Sequence, residues 1–192
     1  MANVSSIAGA VPKRSLIGGA GVNRTGEYLI ASATAHNIFT GDFVKMLDTG
    51  YIDVATAGDT ILGVFAGCSF LDNSGVPGGR WSPYWPTGTA TTGSVAAVAY
   101  IIDDPWAIFE IETDATNAFA LTNVGNNADF VAGAGNSTTG NSGFTLDLSS
   151  PGSGAANLRI VRLSPVPGNA FGVSAKVEVL INEHFYKTTT GI

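Results

Sequence analysis

The chain has 192 residues and a formal net charge of −6, and only 12% of its residues are charged. Soluble domains typically contain about 25% charged residues, and protein interfaces are depleted in Lys, Glu and Asp. The low charge therefore favours a protein that makes extensive contact with neighbours over a β domain with an ordinary Ser, Thr and Asn surface. The single cysteine, Cys68, excludes an internal disulfide. The acidic balance argues against nucleic acid as a partner.

Charge is distributed unevenly along the sequence. The first 26 residues contain Lys13, Arg14 and Arg24 and no acid, whereas residues 27–156 contain thirteen acids and two bases, a net charge of −11. Glycine and proline interrupt the first segment throughout, so residues 1–26 are predicted to form an extended N-terminal arm. A basic arm ahead of an acidic body is expected to dock on an acidic surface, such as that of a neighbouring copy.

Short β-type runs predict an all-β fold, a small β-barrel or sandwich with long loops. Apolar residues nowhere recur at helical spacing over the roughly 11 to 18 positions that an amphipathic helix needs. The β domain is expected to span residues 27–192, with a subdivision near residue 94 as an alternative. The expected strands are 27–31, 43–47, 51–55, 60–70, 94–102, 106–112, 144–148, 158–163 and 173–181.

Turn residues make three local predictions. Residues 48–50, Asp-Thr-Gly, fit a hairpin turn with a left-handed glycine between two of these strands. Gly63 and Gly67 interrupt an apolar run and indicate a bent strand or a close backbone approach. Residues 71–93 are expected to form a long loop, because Gly, Pro, Ser and Thr dominate them. A polar tail is expected from residue 182 onward.

Three aromatic residues, Trp81, Tyr84 and Trp85, lie close together in the predicted loop. Aromatic side chains supply large contact areas at low entropic cost, which favours a contact loop. Tryptophan is also highly buried on average, so the alternative is that these side chains fold back and plug one end of a barrel. The sequence leaves both interpretations open.

No catalytic, cofactor-binding or metal residue is predicted, and we expect no enzyme. His36 and His184 are the only histidines, and neither is near a nucleophile in sequence. Together with Cys68 they are too few for a zinc site. The adjacent Asp103 and Asp104 precede a proline and are interpreted as a turn rather than a carboxylate pair. Residues 19–24 lack the third glycine of a dinucleotide-binding loop.

The chain is expected to be soluble and made in the cytoplasm. Residues 1–10 lack the basic and apolar regions of a secretory signal. The longest uncharged stretch, residues 81–102, contains two prolines and two glycines, so it is not expected to form a membrane helix.

Two motifs carry a resemblance to a known family. Gly-Asp-Phe-Val at residues 41–44 follows Asn-Ile-Phe-Thr, and Ile-Leu-Gly-Val at residues 61–64 follows the hairpin strand. This order resembles the capsid decoration, or cement, proteins of tailed bacteriophages, in which such strands recur in a small β-barrel. Tyr-Trp-Pro at 84–86 and Ile-Asp-Asp-Pro at 102–105 are also similar to phage virion proteins encoded beside the major capsid protein. The resemblance covers residues 27–112.

The resemblance implies a non-enzymatic structural protein on the outer surface of a virion capsid. Such proteins often form trimers and clamp neighbouring major capsid subunits, without a cofactor, nucleic acid or membrane as partner. On this interpretation the arm extends over the shell or a neighbouring subunit, and the barrel forms the trimer knob. A carbohydrate-binding β-sandwich is the alternative, in which Trp81, Tyr84 and Trp85 stack on sugar faces.

Overall fold

The chain folds into antiparallel β-sheets joined by long loops. A computed structural model describes residues 3–18, 24–73 and 79–188. Short 3-10 turns at Thr92–Ser94, Leu121–Asn123 and Phe185–Lys187 are the helical elements of these ranges. The strands in chain order are β1 Val11–Ser15, β2 Gly26–Ile30, β3 Ile38–Phe39, β4 Phe43–Met46, β5 Ile52–Val54, β6 Gly63–Phe70, β7 Arg80–Ser82, β8 Tyr84–Trp85, β9 Ala97–Ile102, β10 Ala107–Glu112, β11 Asn127–Ala128, β12 Phe130–Val131, β13 Thr145–Leu146, β14 Leu158–Leu163 and β15 Lys176–Ile181.

Two larger sheets form the body of the molecule. Sheet one has the order β1-β10-β15-β14-β11. Sheet two has the order β2-β9-β6-β4-β5. Strand β7 pairs with the second half of β6, on the same edge that β4 pairs with in the first half. Two small ladders, β3-β8 and β12-β13, complete the fold. Because β9 pairs with β2 and β6, strands from both sides of residue 94 share sheet two.

Two hydrophobic cores lie on opposite faces of sheet two. Phe43, Val64 and Ile102 pack in the first core, against the inner face of sheet one and the β12-β13 ladder. The second core contains Phe65 and Trp85 and lies under the β3-β8 ladder. The all-β prediction is therefore confirmed, and the packing is that of a sandwich. The edge strands of sheet two meet at one bridge between Leu29 and Tyr51, and the described residues form no closed barrel.

Most predicted strands are present, and the main correction concerns the loops. The predicted loop at residues 71–93 contains β7 and β8, and residues 113–143, where no strand is predicted, contain β11 and β12. Each of these strands has only two or three residues, too few for alternation to be visible in the sequence. Strands β1 and β3 also lie outside the predicted strands, and β1 lies within the predicted arm. The other strands agree with prediction to within a few residues at each end.

Local turn predictions are confirmed at the glycines that the sequence singles out. Gly50 has a φ of 81°, and the Leu47 amide donates to the Tyr51 carbonyl at 2.8 Å, as expected for this hairpin. A β-carbon at Gly63 would collide with the carbonyl oxygen of Ile102. The pairing of β6 with β9 shifts register between Phe65 and Cys68, around Gly67, whose φ is 129°.

The described part of the predicted arm is extended and lies on its own chain. Strand β1 is the edge strand of sheet one and pairs with β10. The side chain of Asn3 donates to the carbonyls of Ala170 and Val173 and accepts from the Ala170 amide, each at 2.9 Å. Residues 19–23 lie outside the described ranges. Docking of this segment on a neighbouring subunit stays a prediction.

Two buried glutamates on the outer face of sheet one, Glu110 and Glu178, receive the basic residues of the N-terminal segment. Lys13 forms an ion pair with Glu110 at 3.1 Å, and Arg14 forms one with Glu178 at 3.0 Å. Arg162 donates from Nε and Nη2 to the two carboxylate oxygens of Glu178, at 2.8 and 2.7 Å. Burial alone would raise the pKa of Glu178, but the hydrogen bonds from Arg162 and Arg14 outweigh it and lower the pKa below its usual value.

We predict that Glu178→Gln destabilises the fold by about 2 kcal/mol at neutral pH, because it removes a buried acceptor of charged hydrogen bonds. Since the folded pKa of Glu178 is lowered, its contribution is present above the ordinary value of 4.5 and is lost as pH falls through the lower folded value. Urea unfolding at about pH 7 and about pH 3 measures this. Wild type and variant should differ less at the acid pH, and an equal difference at both would contradict the assignment.

Candidate interaction surface

Sheet one covers only part of the outer face of sheet two. At one end of that face, Val64 and Ile102 are buried in the first core. At the other end, four strands present side chains in one row, because Leu29 is paired with Val98, Val98 with Ser69, and Ser69 with Trp81. This row spans three inter-strand spacings, about 14 Å.

The uncovered row is apolar apart from two hydroxyl groups. Leu29 is 45% exposed and Trp81 60% exposed. Tyr100 lies on the same face as Val98, and its hydroxyl is 2.9 Å from Ser69 Oγ. We call these five residues, Leu29, Ser69, Trp81, Val98 and Tyr100, the open face. None of them is charged, and Glu27, paired with Tyr100, borders the face.

Trp81 owes its orientation to Gly67. A β-carbon at Gly67 would lie 2.9 Å from Trp81 Cζ2 and 3.0 Å from its Nε1, so the indole lies directly over the glycine. The positive φ of Gly67 is also a conformation that other residues rarely adopt. The bulge in β6 therefore creates the flat site on which Trp81 packs.

The three aromatic residues of the predicted contact loop have different positions. Trp85 is fully buried in the second core, where its ring lies edge-on to Phe70 with centroids 5.0 Å apart. Tyr84 is half-buried and stacks on Phe39. The exposed Trp81 fits the contact interpretation, whereas Trp85 is buried in the second core and plugs no barrel end among the described residues. The carbohydrate hypothesis is corrected in one respect, since Trp85 cannot stack on a sugar.

The histidines and the cysteine lie apart from one another. His36 is exposed and its Nδ1 lies 3.0 and 3.1 Å from the carboxylate oxygens of Asp53. Cys68 is buried, its thiol is 3.7 Å from the Tyr84 carbonyl oxygen, and burial raises its pKa to about 12. At neutral pH the thiol is therefore protonated and inside the second core.

His184 is fully buried beside the last 3-10 turn. Its Nδ1 accepts from the Tyr186 amide at 3.1 Å, while its Nε2 is buried without a hydrogen-bond partner. Burial lowers its pKa to about 4, with a smaller contribution from the charge of Lys187. The imidazole is neutral at physiological pH and caps the turn, which is a structural role.

Asp103 and Asp104 form a turn, as predicted, and act separately. Asp104 accepts from the amide of Trp106 at 2.9 Å, and its carbonyl accepts from Ala107 at 3.0 Å. Asp103 accepts from the hydroxyl of Tyr28 at 2.6 Å. Burial, and then the hydrogen bonds of its hydroxyl with Asp103 and with Tyr186, raise the pKa of Tyr28 above its usual value. The two carboxylates therefore support the turn and the packing of β2.

Other kinds of site are not evident in the described ranges. No three His, Cys, Asp or Glu side chains there are arranged to hold a metal ion. A cavity of about 290 Å³ lies between residues 3–6 and the loop 166–176, and neither histidine lines it. Among the described residues no helix is long and apolar enough to cross a membrane.

Sequence reasoning identified Trp81 but missed the rest of the open face. Alternation along β9 places Val98 and Tyr100 on the same face, and this alternation is visible in the sequence. The alternation does not reveal whether another sheet covers that face. No protein-family model, curated protein or solved structure matches the chain.

The different burial of the two tryptophans makes a stability prediction. Trp85→Ala should cost about 3 to 5 kcal/mol, because it leaves a large cavity in the second core. Trp81→Ser should cost about 1 kcal/mol or less, because most of its surface is already in solvent. Urea unfolding of both variants at neutral pH checks this, and similar losses would contradict the assignment of Trp81 to an exposed face.

Proposed function

We propose that this chain is a structural virion protein that decorates and stabilises an assembled phage capsid by clamping neighbouring major capsid subunits. The open face is the observation that carries the proposal. A flat row of Leu29, Val98 and Trp81 without a charged side chain matches the composition of protein contact surfaces, in which aromatic residues are enriched and charge is depleted.

The motifs that resemble cement proteins support the proposal through their position. Residues 41–44 lead into β4 and residues 61–64 lead into β6, so both lie in the sheet that carries the open face. The partner is the major capsid protein, and the location is the outer surface of the virion. The role requires no catalytic group and no cofactor.

The size of the open face favours binding through several copies. Its strand spacings correspond to about 200 to 300 Å², whereas a stable interface buries about 800 Å² on each partner. A single copy would therefore bind weakly, and a trimer would gain affinity by engaging several subunits at once. A protein that binds the assembled shell but not the free subunits also stabilises the shell by mass action.

Shell binding tests the proposal. The protein should be a trimer by light scattering and should co-sediment with shells assembled from the major capsid protein of the phage that encodes it. Leu29→Ser and Trp81→Ser should each weaken co-sedimentation at least tenfold, because both remove apolar contact area. Leu121→Ser is the matched control, since Leu121 is 71% exposed on a distant 3-10 turn. A monomer that ignores shells, or equal losses in the control, would overturn the proposal.

Carbohydrate binding is the second candidate, and the surroundings of Trp81 favour it. An exposed indole beside the paired hydroxyls of Ser69 and Tyr100 offers an apolar platform and two polar groups for a sugar ring. Glycan-array binding that Trp81→Ser abolishes and Tyr100→Phe weakens, without affinity for shells, would support this candidate. If the wild type binds none of the glycans on the array, carbohydrate binding is excluded for those glycans.

A further inference from the structure

Most of the basic residues lie on one face of the molecule. The chain has nine Lys and Arg residues. Five of them project from the outer face of sheet one, opposite the first core, and we call this set the basic face. Strand register places them there, beside Glu110, Glu112 and Glu178. The basic face consists of Lys13, Arg14, Arg159, Arg162 and Lys176.

The acids of the same face are buried beneath these bases. The side chain of Glu178 is 4% exposed and that of Glu110 is 11% exposed. The side chains of Arg14 and Arg162 are 41% and 49% exposed. Solvent therefore meets guanidinium and ammonium groups, while the carboxylates of Glu110 and Glu178 are enclosed by the groups that neutralise them. Glu112, paired across the strands with Lys176, is also buried; it accepts from the Ser6 amide at 2.7 Å and forms no ion pair with a described residue.

The five bases and three glutamates of this face give a net charge of +2, and two of the bases have no ion pair. Glu178 engages Arg14 and Arg162, and Glu110 engages Lys13. Arg159 and Lys176 form no ion pair with a described residue; Arg159 donates only to the amide oxygen of Asn127, at 3.0 Å. They lie on neighbouring strands, about four residues or ~14 Å apart along the sheet.

Two of the four bases outside the face, Lys45 and Arg80, differ in this respect. Lys45 is paired with Asp59 at 2.8 Å and Arg80 with Asp72 at 2.9 Å, so each has an acid at its own position. The molecule is therefore acidic overall but has a side on which positive charge is both concentrated and exposed. Such a charge distribution orients a protein toward a surface of opposite sign.

We propose that the basic face docks on an acidic protein surface, with Arg159 and Lys176 each receiving a carboxylate of the partner. Arg162 uses Nε and Nη2 on Glu178, so its other terminal nitrogen can also donate outward. A protein surface fits better than nucleic acid, because Arg159 and Lys176 are ~14 Å apart with the buried Glu178 between them and form no continuous stripe of cations for a phosphate backbone. This surface is separate from the open face and does not depend on the proposed function.

The experiment uses immobilised poly-L-glutamate as the probe and the full chain as the analyte. Wild-type binding should weaken at least tenfold between about 50 mM and about 500 mM salt, because screening shortens the range of the interaction. Arg159→Glu and Lys176→Glu should each weaken binding at low salt at least fivefold, whereas Arg159→Lys should retain most of it. Arg24→Glu is the matched control, with the same charge change on an exposed residue outside sheet one.

The outcomes separate this proposal from the proposed function. Loss of binding in the two variants but not in the control, with unchanged thermal unfolding and with Trp81→Ser still binding, supports the basic face. Wild-type binding that is absent, or equal losses in Arg24→Glu, overturns it. Tighter binding to a short DNA duplex than to poly-L-glutamate also overturns it, in favour of a nucleic-acid surface. If shells bind and poly-L-glutamate does not, the proposed function survives and this proposal fails.

Discussion

Strand β6 contributes side chains to both hydrophobic cores, and the register shift around Gly67 determines which side chains of its second half are buried. In a regular strand, residues 64, 66, 68 and 70 would all face the same side. Val64 faces the first core, yet Cys68 and Phe70 are buried in the second. The register shift between Phe65 and Cys68 reverses the alternation, so that the apolar residues of the second half stay inside. The same shift turns Ser69 outward and places Gly67 beneath Trp81, so one backbone feature produces both the second core and the open face.

Charge is scarce in this chain, and its placement follows from how sheet one is covered. Glu110, Glu112 and Glu178 lie on the outer face of a sheet, where burial of a carboxylate is costly unless basic groups accompany it. The N-terminal segment supplies two of those bases by adding β1 to the sheet edge. The segment is thus held by backbone pairing and by the ion pairs of Lys13 and Arg14 together.

The open face and the basic face differ in chemistry, so each suits a different kind of contact with a partner. The open face is uncharged and flat, and contact there depends on excluding water from apolar side chains. The basic face is polar and exposed, and it acts at longer range but is weakened by salt. A protein that clamps neighbouring subunits needs more than one contact surface, and a pair with different chemistry can engage different parts of an assembly without competing.

The sequence by itself determined the all-β class, most of the longer strands, the hairpin at residues 48–50 and the turn at Asp103 and Asp104. These features follow from local alternation and from backbone preferences of glycine, proline and aspartate, which act over a few residues. The tertiary structure alone decided which tryptophan is exposed, which half of sheet two is left uncovered and where the basic segment docks. Trp81 and Trp85 are four residues apart and chemically identical, so only the packing of the two sheets could assign one to solvent and the other to the core.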